Sequence, residues 1–350
     1  RQVDNSFVIM EDYLEVWDYV SAVKHFFVKR FLHLGKVEID GTDFSLIFKY
    51  HQKRETVEFV SLFYQFVKRL KCNGSENITF IQNYENLISE KSLILGVRKY
   101  FPGSMVVGCF HTTKPENMLC LDYASNDEYE IAPKPNAIIF NSDHYKKYYQ
   151  KKYKGLDMYN GVAFKQIYLK NRVNGPRPDT NEVLVLFSGT EATIKFMFDL
   201  LNQLSGVYRF LFRMHPMSKF DVKDYYDRDN YMVVNTQSLD ELLSKSSKVI
   251  STYSATALEA SLMGCEVGLL YDRRELMLNP FDCTRIKNYS LISDVKALGL
   301  FLEKGFKTVE NAEFFSSMLS ALNVRAATLC TLPASNFLKL VVVLYEALST

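Results

Sequence analysis

The chain has 350 residues and a mass of 40.5 kDa, more than one hydrophobic core usually serves, so its length predicts two domains. Hydrophobic residues make up 47% and charged residues 23%, which excludes disorder of the whole chain. The 42 basic residues nearly balance the 40 acidic ones, and a formal net charge of +2 excludes a strong general attraction to nucleic acid.

Residues 1–70 have the hydrophobic spacing of helices, after a short strand at Val8–Ile9. From Asn77 the pattern changes to strands alternating with helices. The predicted strands are Ile78–Gln82, Met105–Phe110 and Ala137–Phe140, and the predicted helices are Asn86–Phe101 and Asp143–Tyr153. Strand–helix–strand alternation predicts a parallel sheet of the Rossmann type.

A linker rich in proline and polar residues is predicted at residues 171–180, and a second alternating region follows it. Its predicted strands are Val183–Phe187, Tyr208–Met214, Tyr231–Val234, Lys248–Ser251 and Val267–Tyr271. Its predicted helices are Thr193–Leu204, Leu239–Ser244, Thr256–Met263 and a terminal Ala334–Leu348. The fold class is therefore predicted as α/β with two Rossmann-like domains, and the cleft between them is the expected site.

The cysteines indicate a reducing compartment, the cytoplasm, because they are scattered and form no CxxC pair of a zinc ribbon. No apolar run reaches the roughly 18 residues needed to cross a membrane, and no signal peptide is expected. The sequence starts at Arg1 and not at methionine, which leaves open that it is part of a longer protein. The six cysteines are Cys72, Cys109, Cys120, Cys265, Cys283 and Cys330.

Two strand ends in the second half carry candidate ligand-binding residues. In the turn Ser188-Gly189-Thr190, a helix N-terminus favours an anion and the glycine allows close approach. The alternative is an ordinary turn with a Ser or Thr cap. In Arg213-Met214-His215-Pro216, Pro216 holds His215 extended, where it could donate to a phosphate or protonate a leaving group. The alternative is a structural histidine.

A third strand end is rich in hydroxyls, which predicts a phosphate at the N-terminus of the following helix. Thr256 and Glu259 also have capping-box spacing, which is the structural alternative. The fold would bring all three strand ends to one rim. The dinucleotide and P-loop glycine motifs are missing, so those ligands lack their usual marks. The hydroxyl-bearing residues are Ser251, Thr252, Tyr253, Ser254 and Thr256.

Carboxylates and a histidine follow the strands of the first half. Glu85 lies just past a strand end, where it could serve as a general base, an acid or a substrate anchor, or simply interact with a helix dipole. His111 and Asp143 follow the next two strands, and Asp157 lies in a later loop. No combination of histidine and carboxylates has convincing metal spacing, so we expect no metal and no cofactor.

These motifs, in this order, resemble GT-B glycosyltransferases of bacterial surface-carbohydrate synthesis, and retaining β-Kdo transferases in particular. Tyr84-Glu85-Asn86 and the segment 108–112 resemble the YEN and GYQH[ST] stretches of that group. The segment 213–216 resembles the K-x-H-P motif shared with bacterial sialyltransferases, and 251–264 resembles an S-T-S…E-A…G element. The segment 161–164 resembles a G-x-A-x-R stretch but has Phe164 and Lys165 where a Leu-Arg or Arg-Tyr pair is expected.

The resemblance implies a GT-B fold with an N-terminal acceptor and catalytic domain at 1–172 and a C-terminal nucleotide-sugar domain at 173–350. It implies a CMP-activated nonulosonic acid donor, Kdo-like or sialic-acid-like, and a surface glycan or glycolipid acceptor. Peripheral association with the inner membrane is an option. His215 and the region of Ser254 and Thr256 would hold the phosphate. Glu85 would be a catalytic carboxylate, and Asp143, then Asp157, would be the choices for a nucleophile.

Two other interpretations stay open. A CDP-glycerol-type glycerophosphotransferase shares the His-Pro and Ser/Thr-rich elements, and a non-catalytic GT-B-like domain would bind nucleotide or glycan without turnover. The choice between a retaining and an inverting reaction stays open as well.

Overall fold

The computed structural model of the protein describes residues 10–31, 33, 35–39, 41–54, 60–71, 78–118, 122–123, 125–161, 169, 181–188, 190–204, 208–215, 220–282, 284, 286, 289–304 and 341–344. The predicted strand Val8–Ile9, the linker 171–180 and the domain boundary at 172/173 lie outside these residues, so the boundary stays a prediction. Residue contacts divide the chain into two compact units. One comprises Arg1–Gly108, Tyr123–Ala137 and Pro333–Tyr345, and the other comprises Cys109–Asp122, Ile138–Leu332 and Glu346–Thr350.

The N-terminal region is helical, as predicted. It consists of α1 (Val16–Phe31), α2 (Ser45–Arg54) and α3 (Val60–Lys71), with a small antiparallel pair, β1 (Glu38–Ile39) and β2 (Thr42–Asp43), before α2. Helix α1 contacts both α2 and α3. The guanidinium Nε of Arg69 on α3 lies 3.0 Å from Oδ2 of Asp18, which is buried on α1.

A five-stranded sheet has the order β13-β3-β4-β5-β6. Its strands are β3 (Thr79–Asn83), β4 (Met105–Phe110), β5 (Ala137–Phe140), β6 (Asp157–Asn160) and β13 (Val341–Leu344), and its helices are α4 (Ile88–Tyr100), α5 (Asn126–Ile131) and α6 (Asp143–Lys152). The chain moves outward from β3 to β6, and β13 pairs in parallel on the other side of β3.

The strand β13 corrects the prediction of a helix over 334–348. Its three consecutive valines are β-branched. A helix restricts their χ1 rotamers, whereas a pleated strand accommodates them. The edge of β3 supplies the hydrogen-bonding partner, with Val341 opposite Thr79. The remaining residues of the predicted helix lie outside the described part of the chain.

A six-stranded sheet has the order β12-β11-β10-β7-β8-β9, and every neighbouring pair in it is parallel. Taken in chain order this is the 3-2-1-4-5-6 arrangement of the Rossmann fold, which confirms the predicted α/β class. The strands are β7 (Glu182–Leu186), β8 (Arg209–Arg213), β9 (Tyr231–Val233), β10 (Lys248–Ser251), β11 (Glu266–Leu270) and β12 (Tyr289–Ile292). The helices are α7 (Glu191–Gln203), α8 (Leu239–Lys245), α9 (Ala255–Leu262) and α10 (Val295–Glu303).

An aromatic core fixes the ends of these strands. The ring of Phe187, just past β7, stacks on Phe198 of α7 at a centroid distance of 4.7 Å and meets Phe212 of β8 edge-on at 5.4 Å. All three side chains are buried. This packing holds the end of β7 in place, and with it the polar residues that follow the strand.

Candidate functional site

The carboxyl ends of β7 and β10 form the switch point of the six-stranded sheet, where the chain turns from one side of the sheet to the other. Ligands of open α/β sheets bind in the crevice at this point. Ser188, after β7, and Thr252, after β10, join there: their hydroxyl oxygens lie 2.6 Å apart, and the Ser188 N–H donates to Thr252 Oγ1 at 3.1 Å. Thr252 is fully buried, so this link is held firmly. The structure thus brings together two of the predicted site residues.

The N-terminus of α7 is capped by Thr190, as the structural alternative predicted, while Gly189 lies outside the described residues. A carboxylate that the sequence analysis missed also lies there. Glu275, in the loop after β11, accepts hydrogen bonds from the hydroxyls of Thr190 at 3.1 Å and Thr193 at 2.7 Å. The hydroxyl of Tyr253 lies 3.2 Å from that of Thr193. Because Glu191 adds a second carboxylate in the first turn, the positive end of α7 already faces two acidic residues.

The N-terminus of α9 differs in charge. Ser254 is its cap, accepting from the N–H of Thr256 at 3.3 Å and from the Thr256 hydroxyl at 3.0 Å, and the first turn contains no acidic residue. The capping box considered as the structural alternative for Thr256 and Glu259 does not form, because the helix begins at Ala255 and Thr256 is its second residue. Glu259 lies further along α9 and is buried.

Ser251 ends β10 and is fully buried. Its hydroxyl has no hydrogen-bond partner among the described residues. Buried hydroxyls normally have a partner, so this oxygen is an exception next to the switch point.

At the end of β8, the side chain of Arg213 is hydrogen-bonded within the protein. Its guanidinium donates to the carbonyl of Gln237, in the loop after β9, and the Met214 N–H donates to Asn235 Oδ1 at 2.8 Å. His215 is exposed just past this strand, and Pro216 lies outside the described residues. The structure therefore gives Arg213 an anchoring role and leaves the imidazole of His215 accessible to solvent.

In the five-stranded sheet, Glu85 follows β3 in a tight turn that another carboxylate holds. Glu90, at the start of α4, accepts from the N–H groups of Glu85 at 2.8 Å and Leu87 at 2.9 Å. Asn86 has a φ of 64°, the left-handed conformation that non-glycine residues rarely adopt. The helix-start role considered for Glu85 therefore belongs to Glu90, a residue that the sequence analysis missed.

Asp143 is the first residue of α6, preceded by the N-cap Ser142. The ammonium groups of Lys146 and Lys147 each lie 2.7 Å from its carboxylate and hold the pKa of Asp143 below its usual range. A carboxylate with a lowered pKa is ionised at neutral pH, which suits a nucleophile or an electrostatic role and does not suit a general acid.

His111 and Asp157 occupy different ends of their strands. His111 directly follows β4 and is half-buried, at the carboxyl edge as predicted. Asp157 is the exposed first residue of β6. The Gly161 N–H, just past β6, donates to the carbonyl of Phe140 at the end of β5, so these ends lie together and Asp157 is about 10 Å away along the strand. The structure does not bring Asp157 to the carboxyl edge.

Two cysteines lie in the described residues, Cys109 and Cys265, and both are free thiols. Burial raises the pKa of Cys109 to about 12, which keeps its thiol protonated and unreactive. Within the described ranges, no cluster of three or more His, Cys, Asp or Glu residues is positioned to hold a metal ion. In the same part of the chain, no helix is long and apolar enough to cross a membrane.

Comparison with known proteins gives distant structural similarity only. No protein-family model and no curated protein matches the sequence. Among solved structures, the chain is similar to Acinetobacter baumannii MurG, with 10% identity and a TM-score of 0.41 over 83% of this chain and 79% of that chain. It is also similar to the wall teichoic acid polymerase TagF (12% identity, TM-score 0.33, 91% and 96% covered). A third is Thermosulfurimonas dismutans KpsC, a β-Kdo 2,7 transferase (12%, 0.27, 70% and 100%). The fold class rests on the sheet topology and not on these scores.

Proposed function

We propose that the protein is a glycosyltransferase that binds a nucleotide-activated sugar at the carboxyl edge of its six-stranded sheet. The observation that carries this proposal is the switch point, where Ser188 and Thr252 join the ends of β7 and β10 beside the N-termini of α7 and α9. A Rossmann sheet with this strand order places nucleotides there.

The charges at the two helix N-termini support one orientation of the donor. The first turn of α9 has no acidic residue, so its positive end suits a phosphate. The end of α7 faces Glu275, and a carboxylate there repels phosphate but accepts hydrogen bonds from ligand hydroxyls. In this proposal the phosphate lies at Ser254, and His215 is a further donor to it. The N-terminus of α9 balances the phosphate charge without a metal, and the sugar hydroxyls face Glu275.

The finer assignment follows the motifs. We propose a CMP-linked nonulosonic acid as donor, a surface glycan or glycolipid as acceptor, and peripheral association with a membrane. Glu85 is the proposed catalytic carboxylate. For a retaining reaction we propose Asp143 as the nucleophile, because it begins α6 just past the carboxyl end of β5, whereas Asp157 lies at the amino end of β6.

The first experiment measures thermal stabilisation by CMP, CDP, UDP, GDP and ADP. A ligand that binds only the folded state at a hundredfold excess over its Kd raises stability by about 2.7 kcal/mol. We expect CMP to stabilise the wild type, His215→Ala to lose the effect, and the matched control His25→Ala, on α1, to keep it. Stabilisation by a different nucleotide would overturn the CMP assignment, and no response to any of the five would overturn the nucleotide site.

The reaction products then distinguish a glycosyltransferase from a glycerophosphotransferase and from a non-catalytic domain. With a donor bound, release of CMP with transfer of a sugar supports the proposal. Release of CMP with formation of a phosphodiester supports a glycerophosphotransferase instead. Binding of nucleotide without turnover of any donor and acceptor pair identifies a non-catalytic domain.

A further inference from the structure

The first helix, α1, directs its apolar side away from the protein. Seven large apolar residues on it are exposed, including Trp17 at 73% and Phe31 at 80%. Single exposed apolar residues are normal on a protein surface, but a continuous row of them marks an interaction site. The seven residues are Val16, Trp17, Val20, Val23, Phe27, Val28 and Phe31.

The spacing of these residues makes a continuous stripe. Val16, Val20, Val23, Phe27 and Phe31 recur at intervals of three and four, so they lie on one side of the helix. In α2, Leu46, Ile47 and Tyr50 are exposed as well, and α2 contacts α1. We use the name α1–α2 face for the exposed apolar residues of the two helices. They are Val16, Trp17, Val20, Val23, Phe27, Val28 and Phe31 of α1 and Leu46, Ile47 and Tyr50 of α2.

The opposite side of α1 fixes this orientation. It buries Ala22 and Asp18, and the carboxylate of Asp18 accepts hydrogen bonds from Arg69 Nε at 3.0 Å and Nη2 at 3.2 Å. A rotation that hid the apolar stripe would break this pair and expose Ala22 in its place. Breaking a buried charge pair is costly, so α1 holds its apolar side outward.

After Asp18, helix α1 contains only basic charged residues, and so does α2. The sequence contains no acidic residue between Asp18 and Glu38, and none between Asp43 and Glu55. The basic residues in these stretches of α1 and α2 are Lys24, Lys29, Arg30, Lys49, Lys53 and Arg54. Lys24 and Lys49 are exposed. A second copy of the chain bound through the same face would bring these positive charges together, which disfavours a symmetric dimer.

We propose that the α1–α2 face binds an anionic membrane surface. Helices that lie in the membrane interface combine Trp and Phe on an apolar side with flanking Lys and Arg, and anionic headgroups attract the basic residues. This inference deepens the peripheral membrane association in the proposed function, and it is tested without any nucleotide. A protein that binds CMP and not membranes would refute this inference alone, and the reverse result would refute the nucleotide site alone.

The test uses a natural probe, because Trp17 is the only tryptophan of the chain. Its emission and the co-sedimentation of the protein are measured with vesicles of phosphatidylcholine alone and of phosphatidylcholine with an equal part of phosphatidylglycerol. We expect a blue shift and co-sedimentation with the anionic vesicles, both weakened by salt. No binding to either vesicle, or equal binding to both, would overturn the proposal. A blue shift without vesicles that grows with protein concentration would also overturn it, in favour of a second copy.

Two sets of variants separate the apolar and the charged contributions. We expect Phe27→Ser with Phe31→Ser to weaken binding to the anionic vesicles roughly tenfold or more, since each ring buries several carbons in the interface. Lys24→Glu with Lys49→Glu should weaken binding at low salt only. The control Ile131→Ser removes a side chain that is 82% exposed on α5 and should bind as the wild type. Unchanged binding in the Phe variant, with the helix content of the wild type by circular dichroism, contradicts the proposal.

Discussion

The buried cation of Lys114 allows a sharp test of the electrostatics in this fold. Its Nζ lies 3.2 Å from Asp122 Oδ2 and donates to the carbonyl of Pro115 at 2.9 Å. The side chain of Lys114 is only 1% exposed and that of Asp122 is 10% exposed. Asp122 has a second cation, Lys152, whose Nζ lies 3.1 Å from Oδ1. Loss of Lys114 therefore leaves Asp122 with a second cation, whereas loss of the Asp122 charge removes the carboxylate that contacts Lys114.

Removal of either partner is expected to have a different cost. Asp122→Asn leaves a buried ammonium without the carboxylate that contacts it, which costs about 3–5 kcal/mol. Lys114→Met leaves Asp122 with Lys152 and some access to water, so its cost is closer to the loss of one charged hydrogen bond, about 1–3 kcal/mol. The structure thus predicts that the conservative change of Asp122 is the more destabilising one.

Urea unfolding followed by circular dichroism measures both free energies. A matched control is Lys195→Met, which breaks an exposed ion pair with Glu191 on α7 and should leave the unfolding midpoint nearly unchanged. Equal destabilisation by Lys114→Met and Asp122→Asn would contradict this prediction, because the second cation of Asp122 would then have no compensating effect.

Two further predictions concern a pKa and a close contact. Neighbouring lysines hold the pKa of Asp143 below its usual value of 3.8, so its stabilising effect is present at neutral pH and is lost as the pH falls through the lowered pKa. Asp143→Asn should therefore flatten the acid side of a plot of melting temperature against pH, and an unchanged slope would contradict the ion pairs. A Cβ at Gly268 would lie 2.4 Å from the Cδ1 atom of Ile292, so Gly268→Ala should destabilise by about 1–3 kcal/mol. Gly299→Ala in α10 meets nothing within 4 Å and should be neutral or stabilising in the same urea assay; equal losses would count against the packing argument.

Most central strands could be predicted from the sequence because they are short apolar runs that polar residues bound on both sides. Lys248–Ser251 and Ala137–Phe140 have the predicted limits, and all their residues are buried. The edge strand β12 was missed because only Ile292 of its four residues is buried, which leaves a weak apolar signal. The helix predicted at 334–348 failed for the opposite reason, because an apolar run has no period that separates a buried helix from a strand.

The partners of the candidate site residues could not be predicted in the same way. Thr190 and Thr193 bind Glu275, more than eighty residues further along the chain. That contact depends on the position of β11 relative to β7, and strand order is not encoded in local periodicity. The sequence indicated only that Glu275 lies a few positions past a predicted strand, and several other carboxylates have the same placement.

The hydroxyls after β10 bond to one another and to neighbouring elements of the sheet. Thr252 joins two strands, Tyr253 contacts Thr193, and Ser254 and Thr256 bind each other across the helix cap. A phosphate would have to displace these bonds to use the hydroxyls, so their number alone says little about affinity. In the proposed function the field of the α9 N-terminus, which no acidic residue in its first turn offsets, is therefore the main attraction for the phosphate, and the hydroxyls chiefly hold that helix end in position.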